Sequence, residues 1–375
     1  MRVLIAGIDG YIGYPLAHWL RARGHEVAGF DSLVRRRRTL RNGGGDGSVI
    51  PIASYEERRG KLGAIGVRTQ HGDVTDTRLM FEIVEQWAPD AIIHLAEQPS
   101  AAWSMGSQGA SYDTVIGNIS GTLGLLWLLQ EHPNCHLLKL GTAGEYGTPD
   151  IEITEGEIEI EFRGRKDKLP FPRRPSSIYH CSKVMDSTLI EFAVRNWGLR
   201  STDVMQGVVY GTQAGGVRTR FDVDECFGTA INRFVAQACS GQPITIYGLG
   251  GQTRGWLPLH DSLECLTIAL ENPPDKGEYR VINQFERTYS INHLAAAVDR
   301  AAGAAGLGPV EIHHIGNPRL EAEAHYYQPE AKWLREHGYQ PRHKLEDELA
   351  GMIADVLPHK DRIPDLSKPL IDWRR

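Results

Sequence analysis

The sequence predicts an α/β fold of the Rossmann type, a doubly wound parallel sheet with a smaller C-terminal lobe. Two observations support this prediction. In the first half of the chain, short apolar runs rich in Val and Ile alternate with longer segments that have helical spacing. After about residue 210 this alternation weakens. Strands that alternate with helices form parallel sheets, which bind ligands at the carboxyl ends of their strands.

Five predicted strands define the first half of the sheet. They are bounded by turn residues and cover residues 2–7, 25–31, 67–74, 91–97 and 136–142. Segments with helical spacing lie between them at 11–23, 77–87 and 114–130. Residues 34–63 interrupt the alternation, and their centre is rich in glycine. A connection of this length predicts a loop, which is either mobile decoration or a lid.

Two lobes are predicted from where the alternation stops and resumes. Residues 243–261 offer a strand, a glycine-rich turn and a second strand, and residues 274–285 offer a further short strand pair. We expect the first lobe to contain residues 1–211 and 256–283, and the second lobe to contain residues 212–255 and 284–375.

The composition argues against several classes of protein. The chain of 375 residues has a formal net charge of −6, which offers no basic surplus for a nucleic-acid backbone. Its five cysteines are scattered without a C-x-x-C pair, which disfavours a disulfide framework and a structural zinc site. No apolar stretch is as long as the roughly eighteen residues that a membrane-spanning helix needs. We therefore expect a cytoplasmic protein with no metal, no membrane contact and no nucleic-acid partner.

The turn between the first strand and the first helix carries Gly7, Gly10 and Gly13, in the segment AGIDGYIGYPL. Glycines there allow a tight turn and let the backbone approach a pyrophosphate, which then lies at the positive end of the helix. Asp31 ends the second strand about twenty residues further on, where a carboxylate accepts hydrogen bonds from an adenosine ribose. Together these residues predict a dinucleotide site.

The residues that follow the second strand bear on the choice of dinucleotide. Arginines at positions 35–38 follow Asp31, and arginines there can accommodate the extra phosphate of NADP. The Asp31 carboxylate would repel that phosphate, so we expect NAD, with Arg35 over the adenine or the diphosphate and most of the arginine run solvated. Asp73 and Val74, at the end of the third strand, are placed to hold the adenine ring, although a plain strand end explains them equally well.

Tyr179 and Lys183 lie four residues apart in the segment SSIYHCSKVMDSTLIEF, and on a helix they share one face. The lysine ammonium and the positive charge of an oxidised nicotinamide would bring the pKa of the phenol toward neutral pH. The phenolate then takes a hydroxyl proton while hydride leaves the same carbon. The spacing alone is common on helix surfaces. Thr142 at the end of the fifth strand, together with the dinucleotide signature, favours catalysis.

These motifs together resemble the extended short-chain dehydrogenase/reductase family, whose members act on nucleotide sugars. The resemblance rests on the glycine turn, Asp31, HLAE at 94–97, Asn118 in NISGT, Thr142 and the Y-x-x-x-K pair, and it covers nearly the whole chain. Longer runs resemble the branch of that family that joins UDP-glucose to sulfite. They include EQPSAAWSM, KLGTAGEYGTPDIEI, SSIYHCSK, FGTAINRF, GGQTRGW and NPRLEAEAHYY.

The resemblance implies a reaction cycle on a UDP-sugar with NAD as a recycled cofactor. Tyr179 would remove the proton of the 4-hydroxyl while NAD takes the hydride. Water is then lost between carbons 5 and 6, sulfite adds to carbon 6, and the hydride returns. Thr142 would bind the 4-hydroxyl, Lys183 would hold the ribose and tune Tyr179, and His180 and Glu145 would act near carbon 6.

The same resemblance implies the binding residues of the two lobes, of which the first would bind NAD and the second the nucleotide sugar. Further cofactor contacts would come from Tyr11, Ile12, Ser32, Leu95, Ala96, Glu97 and Asn118. Substrate contacts would come from Gln98, Ser100, Gln206, Arg254, Arg319 and Glu321. Among these, the two arginines would bind the diphosphate, because a guanidinium can bond it bidentately, and the glutamate would bind the uridine ribose.

Two positions depart from the family pattern and keep different reactions open. Pro99 stands where the family has arginine, and Ala143 where it has methionine, so Pro99 offers no donor to an incoming sulfite. A UDP-hexose 4-epimerase needs only Thr142, Tyr179, Lys183 and NAD, and a small residue after the threonine suits it. A 5,6-dehydratase without sulfite addition is equally compatible with these two positions.

A dTDP-glucose 4,6-dehydratase is less well supported, because it would need an Asp-Glu pair directly after Thr142, which is missing. A catalytically inactive nucleotide-sugar-binding protein is also less well supported, because it would be expected to lack one of the three catalytic residues. We expect a homodimer formed through the helices near 111–131 and 178–197, although their apolar faces are also compatible with a core position.

Overall fold

The structure, a computed structural model, describes residues 1–41, 47–224, 226–369 and 371–373. The strands are β1 (Arg2–Ala6), β2 (Glu26–Asp31), β3 (Arg68–His71), β4 (Ala91–His94), β5 (His136–Leu140), β6 (Glu157–Phe162), β7 (Arg165–Pro170), β8 (Arg200–Gln206), β9 (Val208–Tyr210), β10 (Gln213–Ala214), β11 (Val217–Arg218), β12 (Ile244–Tyr247), β13 (Thr253–Pro258), β14 (Tyr279–Gln284), β15 (Arg287–Ser290) and β16 (Ile312–Ile315). The helices are α1 (Gly13–Ala22), α2 (Val34–Arg41), α3 (Tyr55–Ala64), α4 (Thr77–Trp87), α5 (Ala101–Gly106), α6 (Gln108–Glu131), α7 (Ile178–Trp197), α8 (Ala230–Ser240), α9 (Leu259–Glu271), α10 (Ile291–Ala304), α11 (Lys332–Glu336) and α12 (Leu345–Val356).

A seven-stranded sheet lies at the centre of the fold, with the strand order β14-β8-β5-β4-β1-β2-β3. Every pair of neighbouring strands in this sheet is parallel. From β1 the chain builds outward to β2 and β3, then returns to β4 on the other side of β1 and continues to β5. The predicted doubly wound Rossmann-type fold is therefore confirmed.

The two faces of this sheet bury different side chains, because successive residues of a strand point to opposite sides. On one face Val3 and Ile5 pack with residues of α1 and α9, such as Leu16 and Leu263. On the other face Leu4 packs with residues of α4, α6 and α7. A further core is formed by α8, α10 and α12. Burial on both faces explains why the strands of the sheet read as continuous apolar runs.

The strands of the second half divide between the central sheet and smaller pairings. β14 joins the central sheet beside β8. β12 pairs with β16, whereas β13 pairs with β15 and β9. This distribution agrees with two lobes, whose exact boundaries stay a prediction. Within the described ranges, no helix has both the length and the apolar character that crossing a membrane requires.

The prediction of a loop over residues 34–63 is wrong, because most of that stretch is helical. It contains α2 and all but the last residue of α3. α3 begins with a capping box, in which Ser54 and Glu57 each accept a hydrogen bond from the other's backbone N–H. Arg36 of α2 and Arg58 of α3 both pair with the buried Asp9, which holds the two helices beside the glycine turn. The glycine-rich centre, residues 42–46, lies outside the described residues.

An exposed hairpin of β6 and β7 connects the end of β5 to α7. Its two-residue turn has positive φ at Arg163 and Gly164, 52° and 76°, as hairpin turns that match the twist of the strands require. Glu159 and Lys168, which face each other across the two strands, form an ion pair of 3.1 Å. The hairpin therefore separates in sequence two segments that the fold brings together, the strand end at Thr142 and the helix with Tyr179.

Candidate active site

A cavity of about 760 Å³ opens beside β1 and β4, at the end of the sheet where the glycine turn follows β1. These strands are neighbours in the sheet but are separated in sequence by β2 and β3, and ligands of doubly wound folds bind at such a switch point. Most of the predicted site residues line this cavity. They are Gly7, Gly10, Tyr11, Ile12, Gly13, Asp31, Ser32, Arg35, Asp73, Val74, Leu95, Ala96, Glu97, Gln98, Ser100, Asn118, Tyr179, Lys183, Gln206 and Arg319.

The glycine turn has a geometry that larger residues would not allow. Gly7 has a φ of 90°, and a Cβ there would lie 2.9 Å from the backbone of Leu95. A Cβ on Gly13 would overlap the carbonyl oxygen of Gly7. Because α1 begins at Gly13, the N-terminal end of this helix, where its dipole is positive, lies at this turn. The turn therefore fits a diphosphate, which backbone N–H groups and the helix dipole stabilise.

Asp31 lies at the end of β2, on the wall of the cavity. Its Oδ2 accepts from the Asp9 N–H at 2.9 Å, and its Oδ1 accepts from the Leu33 N–H at 2.7 Å. Burial raises the pKa of Asp31, and the two backbone hydrogen bonds act in the opposite direction. The carboxylate is thus held in one orientation and retains lone pairs that can accept from ribose hydroxyls.

The arginines after β2 are mostly paired, and the prediction that most of them are solvated is wrong. Arg35 forms an ion pair of 2.8 Å with Asp222 and lies over the Phe227 ring, 3.3 Å from its centroid. The side chains of Arg36 and Arg38 are only 16% and 13% exposed. The fold explains the difference, because it brings α2 against residues that lie far away in sequence. Arg35 lines the cavity from this position.

Tyr179 is the second residue of α7, whose N-terminus is capped by Ser177. Lys183 lies one turn further on and is 1% exposed. Its ammonium donates to the Leu140 carbonyl at 2.7 Å and to the Glu97 carboxylate. The predicted tyrosine and lysine therefore meet at the carboxyl end of β5, and a buried acid accompanies them.

In the protein without cofactor, the surroundings of Tyr179 favour the neutral phenol. Burial raises its pKa, and the carboxylates of Glu97 and Glu145 raise it further. The Lys183 ammonium is paired with Glu97, whose negative charge opposes the effect of the ammonium on a phenolate. The prediction that Lys183 and an oxidised nicotinamide together bring this pKa toward neutral pH stays a prediction.

Thr142 begins a 3₁₀ turn, and its hydroxyl accepts from the Gly144 N–H at 3.2 Å. His180 lies against the same turn, since a Cβ on Gly144 would overlap its Nε2. Burial lowers the pKa of His180 to about 3, and the charges of Arg254 and Arg319 lower it as well. The imidazole is therefore neutral at physiological pH, and it can donate or accept a hydrogen bond beside the strand end.

Glu145 is fully buried behind the cavity wall. It pairs with Lys139 at 3.3 Å and with Arg173, and it accepts from Ser187 Oγ at 3.0 Å. Its carboxylate thus forms ion pairs and hydrogen bonds within the core, although it lies close enough to raise the pKa of Tyr179. This position supports a structural role for Glu145 more than the predicted action at carbon 6.

The predicted diphosphate and uridine contacts lie toward a second, smaller cavity of about 60 Å³. Glu321 lines this small cavity, and Arg319 lines both cavities. The guanidinium of Arg254 donates to Glu321 Oε2 at 2.7 Å. The three residues are therefore close to one another, at the end of the main cavity that faces β13.

The remaining predicted substrate residues are already hydrogen-bonded within the protein. The Gln98 N–H donates to Asn118 Oδ1 at 2.8 Å. Ser100 caps α5, and the Gln206 amide donates to Gln284 Oε1 at 2.9 Å. Pro99 is exposed and also lines the cavity, so the position that lacks the family arginine is part of the site.

Several cavity residues were not predicted from the sequence. Asp222, Phe227 and Asn232 line the cavity, as does His94 at the end of β4. Phe227 and Asn232 belong to the run FGTAINRF, so the resemblance carried a signal for them. Asp222 had no such signal, because its role as the partner of Arg35 arises only in the fold.

Solved structures with similar architecture are enzymes of nucleotide sugars. A UDP-glucose 4-epimerase from Thermotoga maritima with UDP-glucose matches with a TM-score of 0.70 and 20% identity, over 95% of this chain and 98% of that one. A UDP-glucuronic acid 4-epimerase from Bacillus cereus, in complex with UDP-glucuronic acid and NAD, matches with a TM-score of 0.71 and 19% identity, over 95% and 99%. The fold is thus that of the nucleotide-sugar epimerases.

The chain belongs to the NAD dependent epimerase/dehydratase family, whose profile matches residues 3–283. Two relatives are considerably more similar than the solved structures. The UDP-sulfoquinovose synthase of Sulfolobus acidocaldarius is 43% identical over 100% of this chain and 98% of its own length. The chloroplastic UDP-sulfoquinovose synthase of Spinacia oleracea is 41% identical over 100% of this chain and 79% of its own. The predicted family and branch are therefore confirmed.

Proposed function

We propose that this chain converts UDP-glucose and sulfite to UDP-sulfoquinovose with NAD as a recycled cofactor. The observation that carries the proposal is the 43% identity to a UDP-sulfoquinovose synthase over the whole chain. The cavity supports it, because Tyr179 and Lys183 line the same space as the glycine turn and Asp31. The 4-epimerases and dehydratases also resemble the chain, but at much lower identity, 24% for a dTDP-glucose 4,6-dehydratase.

The first lobe would bind NAD, which when bound would supply the acceptor and later the donor of the hydride at carbon 4. The glycine turn leaves room that a Cβ would fill, and this room suits the diphosphate. The fixed carboxylate of Asp31 would accept from the adenosine ribose, and Lys183 would donate to the nicotinamide ribose. These features of the chain fit the cofactor that the family name implies.

Tyr179 would handle the proton of the 4-hydroxyl, and Thr142 would orient that hydroxyl. As phenolate, Tyr179 takes the proton while the C4–H bond breaks. As phenol, it returns the proton to the oxygen when the hydride comes back to carbon 4. The positive charge of an oxidised nicotinamide would favour the phenolate only in the first of these steps. One residue thus acts as base and then as acid.

The chemistry at carbon 6 would take place near His180. The ketone at carbon 4 acidifies the hydrogen on carbon 5, and water is lost when that proton and the 6-hydroxyl leave. Sulfite then forms a bond to carbon 6, and a proton returns to carbon 5. Pro99 offers no donor to sulfite. The positive charges of Arg254 and Arg319, which lower the pKa of His180, would also attract an anion.

Products formed with and without sulfite test this proposal. The NAD-loaded protein is incubated with UDP-glucose, and the sugar nucleotides are identified by mass and chromatography. We expect a product that is heavier by sulfite minus water and that requires sulfite. UDP-galactose at unchanged mass would instead support the 4-epimerase, which Pro99 keeps as a second candidate. Loss of water alone would indicate a dehydratase.

The variant Tyr179→Phe tests the assignment of the proton-handling residue. We expect turnover to fall by at least about a hundredfold, the lower range for a general acid or base. NAD should remain bound, because the ring keeps its place. Phe162→Tyr, an exchange of the same two side chains on the exposed hairpin of β6 and β7, serves as the matched control and should retain full turnover. Near-normal activity of Tyr179→Phe would contradict the assignment.

We further propose a homodimer that forms through α6 and α7 in the cytoplasm. Large apolar side chains are exposed on these two helices, among them Trp127 at 53% and Phe192 at 48%. Leu123 on α6 and Met185 on α7 extend the same surface. Such a surface on two packed helices suits a second copy of the chain. Trp127→Glu should therefore give monomers in light scattering, and an unchanged mass would refute this interface.

A further inference from the structure

Lys183 lies between two buried carboxyl groups. Glu97 accepts a hydrogen bond from its ammonium, and Asp186 lies close enough to influence its pKa. Burial alone would lower the pKa of Lys183, but Glu97 and then Asp186 outweigh burial and raise it. The side chains of Glu97 and Lys183 are 5% and 2% exposed, so solvent ions screen the pair only weakly.

The surroundings of the second acid, Asp186, disfavour its charged form. Burial and then Glu97 raise the pKa of Asp186 to about 8. Within the described part of the chain, no donor reaches either of its carboxyl oxygens in hydrogen-bonding geometry, although Thr122 is near enough to lower the pKa slightly. A buried carboxylate without donors is costly, and protonation removes that cost. Of the two acids, Glu97 is therefore the one that accepts a hydrogen bond from the Lys183 ammonium.

The other ionisable groups around this pair do not replace Glu97. His94 of β4 places Nε2 3.5 Å from Glu97 Oε1, and burial lowers the pKa of His94 to about 4, so its ring is neutral. Lys139 of β5 is paired with Glu145 and Asp203, both at 3.3 Å. Glu97 is thus the carboxylate that pairs with Lys183 beside the cavity.

We propose that Glu97 is a positioning residue that fixes the Lys183 ammonium and holds Tyr179 as a phenol between the two hydride transfers. This inference rests on the proposed function, in which carbon 4 is oxidised and later reduced at the same place. The second transfer needs a proton for the oxygen on carbon 4, and the phenol O–H supplies it while the hydride adds to the carbon. A negative charge beside Lys183 disfavours early loss of that proton.

The ionisation of Tyr179 can be measured without substrate. The NAD-loaded protein is titrated from pH 6 to 10 by ultraviolet absorbance, and the spectrum of Tyr179→Phe is subtracted to isolate one tyrosine. We expect the midpoint to fall by at least about one pH unit in Glu97→Gln, a tenfold change in the ionisation constant. Glu97→Asp, which keeps the charge on a shorter side chain, should lie between Glu97→Gln and the unsubstituted protein.

Two further variants separate electrostatics from a general effect on the fold. Asp186→Asn removes the acid to which no hydrogen bond from Lys183 is formed, and it should shift the midpoint less than Glu97→Gln does. Glu191→Gln on the same helix, where the carboxylate pairs with Arg195, is the matched control and should behave like the unsubstituted protein. An equal midpoint in Glu97→Gln and the unsubstituted protein would overturn the proposal, as would an equal shift in Asp186→Asn.

With UDP-glucose present, the fraction of NADH at steady state gives a second readout. We expect this fraction, measured by its absorbance, to rise in Glu97→Gln, because the return of proton and hydride is slowed. If the unsubstituted protein forms no product but the titration still shifts, the proposed reaction fails and the role of Glu97 stands. If product forms and neither readout changes in Glu97→Gln, the role of Glu97 is refuted.

Discussion

A buried network of four charges behind the active site gives the sharpest prediction about stability. Lys139 lies 3.3 Å from both Glu145 and Asp203, and Arg173 pairs with Glu145 on the other side. Three of the four side chains are completely buried. The network is neutral as it stands, with two cations and two carboxylates. Lys139→Met removes one cation and keeps the volume similar, so a buried carboxylate is left without its partner.

The expected loss follows from the distances. Each ion pair at 3.3 Å is worth roughly 5 kcal/mol at an effective dielectric constant of about 20, so two pairs give roughly 10 kcal/mol. The variant avoids the desolvation of the ammonium, which costs several kcal/mol. The net loss should therefore be about 3 to 5 kcal/mol, the range for one partner removed from a buried pair. This is a large share of the about 5 to 15 kcal/mol that stabilise a typical domain.

Urea unfolding followed by circular dichroism measures this loss. Lys168→Met serves as the matched control, because it breaks the exposed pair with Glu159 in the hairpin and should cost less than about 1 kcal/mol. The double variant Lys139→Met/Asp203→Asn restores neutrality and should recover much of the stability. Equal losses in Lys139→Met and Lys168→Met would refute the reasoning.

The pH dependence of the same variant has a defined sign. Burial would raise the pKa of Asp203, but Lys139 and Arg173 outweigh burial and lower it. Because the pKa of Asp203 is lower in the folded protein than the value near about 4 in the unfolded chain, its carboxylate adds to the free energy of unfolding at higher pH. This contribution is lost as the pH falls through the unfolded pKa toward the folded one. Without Lys139 the carboxylate is unfavourable until it is protonated. The cost of Lys139→Met should therefore be smaller at pH 5 than at pH 8.

Two further predictions concern the cofactor turn and the buried histidines. Gly13→Ala should abolish retention of NAD during gel filtration, because the new Cβ would overlap the Gly7 carbonyl. Gly60→Ala is the control, because a Cβ there meets nothing within 4 Å. This control should retain NAD, and its free energy of unfolding should rise by up to about 1 kcal/mol. Burial lowers the pKa of His94 to about 4 and that of His136 to about 3, so the unfolded chain binds more protons below pH 6.5. The free energy of unfolding should fall between pH 6.5 and 5 by up to about 2 kcal/mol for each histidine. In the variant His136→Asn the urea midpoint should therefore depend less steeply on pH.

The central sheet was predictable because its strands are buried on both faces and therefore carry continuous apolar runs. The two helices after β2 were not, although Ser54 and Glu57 carry the spacing of a capping box, because the glycines that follow α2 dominate that stretch. The hairpin of β6 and β7 was missed for a different reason. The first strand, EIEIEF, alternates Glu with Ile158, Ile160 and Phe162, which is the spacing of a strand with one apolar face, but the second strand, RKDKLP, is charged and exposed and shows no such alternation.

The candidate site was predictable where one motif holds the whole feature, as in the glycine turn or the Tyr179 and Lys183 pair. It was not predictable where two distant residues must meet. Glu97 and Lys183 are 86 positions apart, and only the parallel sheet brings the end of β4 beside α7. The same holds for Arg35 and Asp222. Each of these pairs places an opposite charge beside a residue whose motif gives no sign of that partner.

In the proposed reaction, the pairing of Glu97 with Lys183 would change how the Y-x-x-x-K motif works. A lone ammonium would favour the phenolate throughout the cycle, which suits a one-way oxidation. Here carbon 4 must regain its hydride and its oxygen must regain a proton, so a base that ionises only while the oxidised nicotinamide is beside it serves both directions. When the cofactor is reduced its positive charge disappears, Glu97 remains, and Tyr179 returns to the phenol. The charge of the cofactor would then set the direction of proton transfer, whereas the negative charge of Glu97 would be the same in both states of the cofactor.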